Sequence, residues 1–301
     1  MFSNLFKKKT QKNEKIRVIS ASVTGNSFVV GEWEKNIQIW ELNGHIVQTL
    51  QTDLDTGNGE SISISNDGRQ LLIAGCDNNT VTLFDVQTKS IIWKRTDIKK
   101  PYKVKILDHE KNQVFIDTEN KGCYLLSRNS GETIEKLQGV RDIKESPYSN
   151  LNQLEKLYSS SIVIRETKEK MFSFKHKEDL LDSIFTEDLL VCSYVSGPIE
   201  GLDLESKEII WSTFGKGHFL RVGYNSKINK IIAVRWNAEK GGSKYLCYLN
   251  LETGRVEKEI DLEEPIVVEF IKNGEYIITS QGKLYSTNDG LVIKEFEFEN
   301  N

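Results

Sequence analysis

The sequence predicts an all-β chain: a single β-propeller of seven blades, each a four-stranded antiparallel sheet. Three observations carry that expectation. Short polar turns of the T-G, S-G or D-G kind recur along the 301 residues at nearly regular intervals. Runs rich in Val, Ile, Phe, Tyr and Trp flank each turn, as suits pleated strands. The interval divides the chain after residue 15 almost seven times.

The turns set the period. Trp40-Glu41-Leu42-Asn43-Gly44, Phe84-Asp85-Val86-Gln87-Thr88-Lys89, Leu126-Ser127-Arg128-Asn129-Ser130-Gly131, Leu202-Asp203-Leu204-Glu205-Ser206-Lys207, Leu249-Asn250-Leu251-Glu252-Thr253-Gly254 and Tyr285-Ser286-Thr287-Asn288-Asp289-Gly290 align without internal gaps, the first one residue short. Ile164-Arg165-Glu166-Thr167-Lys168-Glu169 is a weaker copy. Their last residues are spaced by 45, 42, 38, 38, 47 and 36, a mean of 41, which matches the roughly 40–45 residues of a propeller blade. A helix-pair repeat of that length would instead place apolar residues every third or fourth position.

Each unit supplies its strands in the same order. After the turn comes an apolar strand such as Ile91-Ile92-Trp93 or Ile209-Ile210-Trp211. Before it stands an alternating run such as Thr80-Val81-Thr82-Leu83-Phe84, and before that a nearly continuous apolar one such as Leu71-Leu72-Ile73-Ala74, the pattern of a strand covered on both faces. The expected blades are 16–50, 60–97, 102–139, 143–177, 180–215, 218–262 and 265–299, with residues 1–15 as a basic N-terminal tail. Blade four is the least regular, around Leu154 to Phe174, so six or eight blades stay open. One blade cannot cover its own two faces, so the ring is expected to be a single domain.

Composition narrows the partners. Forty Lys and Arg against 44 Asp and Glu leave a net charge of −4, which argues against a generally basic nucleic-acid binder. Cys76, Cys123, Cys192 and Cys247 lie far apart without a C-x-x-C pair and read as buried reduced thiols. The start, Met1-Phe2-Ser3-Asn4-Leu5-Phe6-Lys7-Lys8-Lys9, has its lysines after a short apolar group, the reverse of a secretory signal. Together these favour the cytoplasm. Phe2, Leu5 and Phe6 beside Lys7, Lys8, Lys9 and Lys12 allow weak peripheral membrane contact, with a frayed tail as the simpler reading.

The chain resembles the WD-repeat family and the related quinoprotein-type propellers. Trp40-Glu41 and Phe84-Asp85 look like degenerate Trp-Asp pairs. Asp85-x-x-Thr88-x-x-x-x-Trp93 and Asp203-x-x-Ser206-x-x-x-x-Trp211 are similar to the turn-then-tryptophan pattern of quinone-type blades. Ser65-Asn66-Asp67-Gly68-Arg69 and Lys272-Asn273-Gly274-Glu275-Tyr276 resemble the first hairpin of bacterial WD-like blades. No blade carries a complete Gly-His plus Trp-Asp set, and Gly217-His218 stands alone. The resemblance implies a scaffold that binds other proteins.

Candidate chemistry is sparse. His45, His109, His176 and His218 are scattered, and no nucleophile elbow, zinc-protease motif or phosphate loop is present. His45 reads as a solvent-facing turn residue and His218 as a structural partner within its blade. Asp53-Leu54-Asp55-Thr56-Gly57-Asn58-Gly59-Glu60 departs from an EF-hand, lacking an acid at its twelfth position, Ile64, so an inter-blade loop is the better reading. No catalytic, cofactor or metal residue is assigned. Turns joining second to third strands share one face, and there Trp33, Glu34, Asn78, Lys121, Tyr194, Arg235 and Trp236 are the expected partner-binding residues, because interfaces favour large aromatics and Arg. The alternative is a propeller enzyme or a small-ligand or metal binder using the central funnel, as in quinoproteins and lactonases.

Overall fold

The computed structural model describes residues 17–22, 25–32, 36–50, 60–108, 112–119, 122–145, 153–157, 161–164, 170–173, 180–194, 197–237, 242–262 and 267–298. The N-terminal tail lies outside them, as do Trp33, Glu34, Lys121, residues 53–59, His109, His176 and residues 165–169 of the weak fourth turn.

Every regular element among the described residues is a strand, and the strands form four-stranded antiparallel sheets arranged as a β-propeller. Seven such sheets span residues 17–50, 62–95, 101–138, 140–173, 180–213, 218–261 and 268–295, and in each the strands pair in chain order. The fourth begins at Val140, three residues before the expected blade boundary. Among the described residues no helix is long and apolar enough to cross a membrane.

Local chemistry makes the hairpins. The residues that closed the six clearer sequence copies have left-handed backbone: Gly44, Lys89, Gly131, Lys207, Gly254 and Gly290, with φ between 60° and 91°. Ahead of them a short polar side chain caps the turn. Asp85 Oδ1 accepts the Thr88 N–H at 2.7 Å, Asp203 Oδ1 that of Ser206 at 2.6 Å, and Asn250 Oδ1 that of Thr253 at 3.0 Å. The pairing register then slips by one residue, as between Leu83 and Phe84, Gly201 and Leu202, and Tyr248 and Leu249. Four residues thus connect Asp85 to its partner Ser90, and a left-handed residue leading into a bulge suits such a hairpin.

Burial follows strand order. The second strands Gln113–Thr118 and Leu189–Tyr194 are buried throughout, while the fourth strand Thr133–Gln138 is exposed at all positions but Leu137. Apolar clusters fill the seams. Val29, Ile37 and Ile39 meet Ile62 and Ile73 between sheets one and two, and Ile162 and Met171 meet Leu180 and Cys192 between sheets four and five. Phe28 and Trp40 of sheet one meet Ile271, Leu284, Phe296 and Phe298 from the chain end. That last cluster joins the first sheet to the last.

Two tryptophans tie seams directly. Trp93 Nε1 donates to the Arg128 carbonyl at 2.8 Å, and Trp211 Nε1 to the Leu251 carbonyl at 2.9 Å, each on the third-to-fourth hairpin of the next sheet. Both indoles lie against a glycine of that hairpin. A Cβ at Gly131 would sit 2.7 Å from Trp93 Cδ2, and one at Gly254 2.3 Å from Trp211 Cε3.

Candidate functional site

In an antiparallel sheet whose strands pair in chain order, second-to-third turns and the links between sheets emerge on one face. Among the described strands, the longest belong to the sixth sheet. Its strands His218–Asn225, Lys230–Asn237 and Ser243–Asn250 have eight residues each, against six in Gln70–Gly75 and Thr80–Asp85. The buried stretch Ile231–Val234 matches Leu71–Ala74, so Arg235 stands level with Gly75, and the two surplus residues, Trp236 and Asn237, extend the strand at the rim end by about 7 Å at roughly 3.4 Å per residue.

Trp236 is half-buried on that projection. Its ring stacks on His218, with centroids 5.6 Å apart and planes at 28°. His218 therefore does stay within its blade, as an aromatic support. Gly217 permits the approach: a Cβ there would lie 1.9 Å from the Trp236 carbonyl oxygen. Lys244 pairs with Trp236 across the next strand, so His218, Trp236 and Lys244 form one row on one side of the sheet. Burial pushes the Lys244 ammonium down to about 8.

Arg235 faces the other side and is 7% exposed. Its Nη2 is 2.8 Å from Glu259 Oε1, and its guanidinium lies 5.4 Å from the centroid of Tyr245. It braces the projection from within, so the expected role as a surface contact is corrected to that of a support. Tyr194 is corrected in the same way. It is fully buried, and its hydroxyl donates to Glu200 Oε2 at 2.9 Å; burial and the neighbouring Cys192 and Glu200 push its pKa up.

Asn78 is exposed on the same face, in the turn of sheet two, and accepts a hydrogen bond from the Thr80 hydroxyl. Around it the rim is polar. Asn79 Oδ1 accepts the Lys100 N–H at 2.8 Å, Lys100 Nζ pairs with Glu119 at 2.9 Å, and Cys76 Sγ reaches Glu119 at 3.6 Å. The Lys100 hydrogen bond holds Glu119 below the usual carboxylate range. Lys100 was not among the expected residues. It sits in the link between sheets two and three, and the rule that puts such links on the turn face would have found it.

The central channel gathers charges that the sequence did not reveal as a set. First strands face the axis, and four of them slip register just ahead of a charged residue: Lys103, Asp142, Asp182 and Arg221. Bulges re-aim side chains in this way. Lys103 is 3.1 Å from Asp142 and 3.4 Å from Glu60, and Arg221 is 3.0 Å from Glu269. Asp182 Oδ2 accepts the Val222 N–H at 3.1 Å. Burial acts to lower the Lys103 pKa, but the carboxylates of Asp142 and Glu60 outweigh it and raise it. The Glu269 charge likewise raises that of Arg221. These contacts link neighbouring sheets, and each of the two cations is paired with a carboxylate. Among the described residues no three His, Cys, Asp or Glu side chains are grouped to hold a metal ion.

The described part of the expected site is thus an aromatic projection on sheet six and a polar rim on sheets two and three. No known family model matches the chain, and no curated protein matches it in sequence.

Proposed function

We propose that this chain is a non-catalytic interaction scaffold of the WD-repeat-like or quinoprotein-like kind, a seven-bladed ring working in the cytoplasm, and that it binds another protein on the face of the second-to-third turns. One observation carries the reading: Trp236 is presented at the end of the longest strands, its ring supported by His218 and the strand beneath braced by Arg235, Glu259 and Tyr245. A large aromatic held in place beforehand loses little rotamer freedom on binding and suits the centre of an interface. Asn78, Lys100 and Glu119 supply a polar rim; Trp33, Glu34 and Lys121, expected on the same face, lie outside the described residues. The mutual pairing of the channel charges supports a structural use of the axis over catalysis there.

Affinity capture from the native cells, with the tagged full chain and its Trp236→Ala variant, tests this. Proteins retained by the parent and by an outer-strand control, Ile210→Thr, are expected to be lost with Trp236→Ala while the melting curve is unchanged. Equal capture by Trp236→Ala and Trp33→Ala would overturn the assignment of this face. A stoichiometric metal or a quinone absorbance in the purified chain would favour the funnel instead.

A further inference from the structure

On the opposite face, where the first and last sheets meet, lies a cleft of about 420 Å³. Its size falls in the roughly 300–1,000 Å³ range of small-molecule sites. Hairpins from the two ends of the chain build it. Glu41 and Leu42 come from the third-to-fourth turn of sheet one, and Lys272, Tyr276, Leu284 and Ile293 from sheet seven.

The walls are of two kinds. Leu42 and Ile293 offer aliphatic surface and Tyr276 a ring, and Leu42 and Tyr276 pack on the seam cluster beneath, to which the buried Leu284 belongs. The polar groups are of opposite charge and come from opposite sides of the seam. Glu41 accepts a neutral hydrogen bond from Asn43 Nδ2 at 2.8 Å, which leaves its charge uncompensated by that donor. Lys272 lies 3.9 Å from Glu275, a carboxylate already held at 2.8 Å by Lys227. Lys272 Nζ is also 5.7 Å from the Tyr276 ring centroid, at the edge of the cleft. Across the outer side, Lys294 of the last strand donates to the Asn43 carbonyl and bridges the two sheets.

A carboxylate on one wall, an ammonium on the other and apolar surface between them complement a molecule with the reverse layout. We infer that this cleft binds a small apolar zwitterion of dipeptide size, its ammonium group toward Glu41, its carboxylate toward Lys272 and its side chains on Leu42, Tyr276 and Ile293. Charge-assisted hydrogen bonds give such a site its selectivity, since an analogue lacking one charge leaves a partner group unsatisfied. An occupant touches both ends of the chain, so it also stabilises ring closure by mass action. The cleft and the Trp236 rim lie on opposite faces, and neither reading depends on the other.

Calorimetric titration of the full chain with leucyl-leucine, N-acetyl-leucyl-leucine and leucyl-leucine amide tests the inference. Saturable binding of leucyl-leucine is expected, weakened at least about tenfold by blocking either terminus, with a rise in melting temperature on saturation. Glu41→Gln should abolish the preference for a free ammonium group and keep that for a free carboxylate; Lys272→Met should do the reverse. The inference fails if leucyl-leucine shows no saturable binding, if the blocked peptides bind as well as the free one, or if both variants keep the parental preferences. The three peptides on the unaltered chain keep the test decisive should a variant misfold.

Discussion

Lys103 and Asp142 stand 3.1 Å apart across the seam between the third and fourth sheets, with side chains only 18% and 9% exposed. Glu60, 3.4 Å from the same ammonium, adds an anchor from the segment before sheet two. One lysine thus joins three successive parts of the inner wall.

Removing it should therefore cost more than a surface ion pair. Lys103→Met takes the lysine charge away from the buried Asp142 carboxylate and is expected to destabilise the fold by about 3–5 kcal/mol, read from urea melts at neutral pH. The raised Lys103 pKa sets the sign of the pH effect. The contribution is fully present below the unfolded lysine value of about 10.4 and is lost as pH rises through the higher folded value. The gap between parent and variant should narrow in strongly alkaline melts; a gap of constant size would contradict the assignment.

The tryptophan seams make a comparison of two glycines informative. Gly139 and Gly254 both have positive φ, 74° and 67°, but a Cβ at Gly139 meets nothing within 4 Å, whereas one at Gly254 meets the Trp211 ring. Gly139→Ala should cost about 1–2 kcal/mol for backbone conformation alone. Gly254→Ala should add about 1–3 kcal/mol of overpacking, and equal losses in chemical denaturation would show that the seam yields freely.

Thiol labelling should separate the cysteines. Cys123, Cys192 and Cys247 are buried and Cys76 is partly exposed; burial pushes the Cys247 thiol up to about 12. In the native protein a thiol reagent at mildly alkaline pH should modify Cys76 first, and all four only after denaturation. Early modification of Cys247, located by peptide mapping, would mean that the sixth sheet opens.

At the rim, two aromatics from the same expected set should behave oppositely. Trp236→Ala should weaken partner binding by about 2 kcal/mol or more, as central interface aromatics do, with little change in stability. Tyr194→Phe removes a donor from the buried Glu200 carboxylate and should cost about 1–3 kcal/mol of stability while leaving binding intact. Calorimetry with the captured partner and thermal melts of both variants will decide.

Much of the architecture was legible because the hairpin signal is local. Asp85, Thr88 and Lys89 make their turn through contacts within four residues, and the same chemistry recurs at Asp203, Ser206 and Lys207. The site was less so. Tyr194 follows a second-to-third strand pattern that places it near a rim turn, yet the neighbouring sheet covers it. Arg235 and Trp236 are adjacent in sequence, and only the pleat and the neighbouring sheets separate a buried brace from a half-buried ring at the rim.

By itself the sequence determined the repeat, its strand order and its turns, because each depends on residues close together in the chain. Ring closure decided the rest. Lys103 with Asp142 and Trp211 with Leu251 are partners about 40 residues apart, and the walls of the Glu41 and Lys272 cleft come from still more distant parts of the chain. Whether a side chain braces a seam, lines the axis or meets solvent depends on the adjoining sheet, whose position no single repeat encodes.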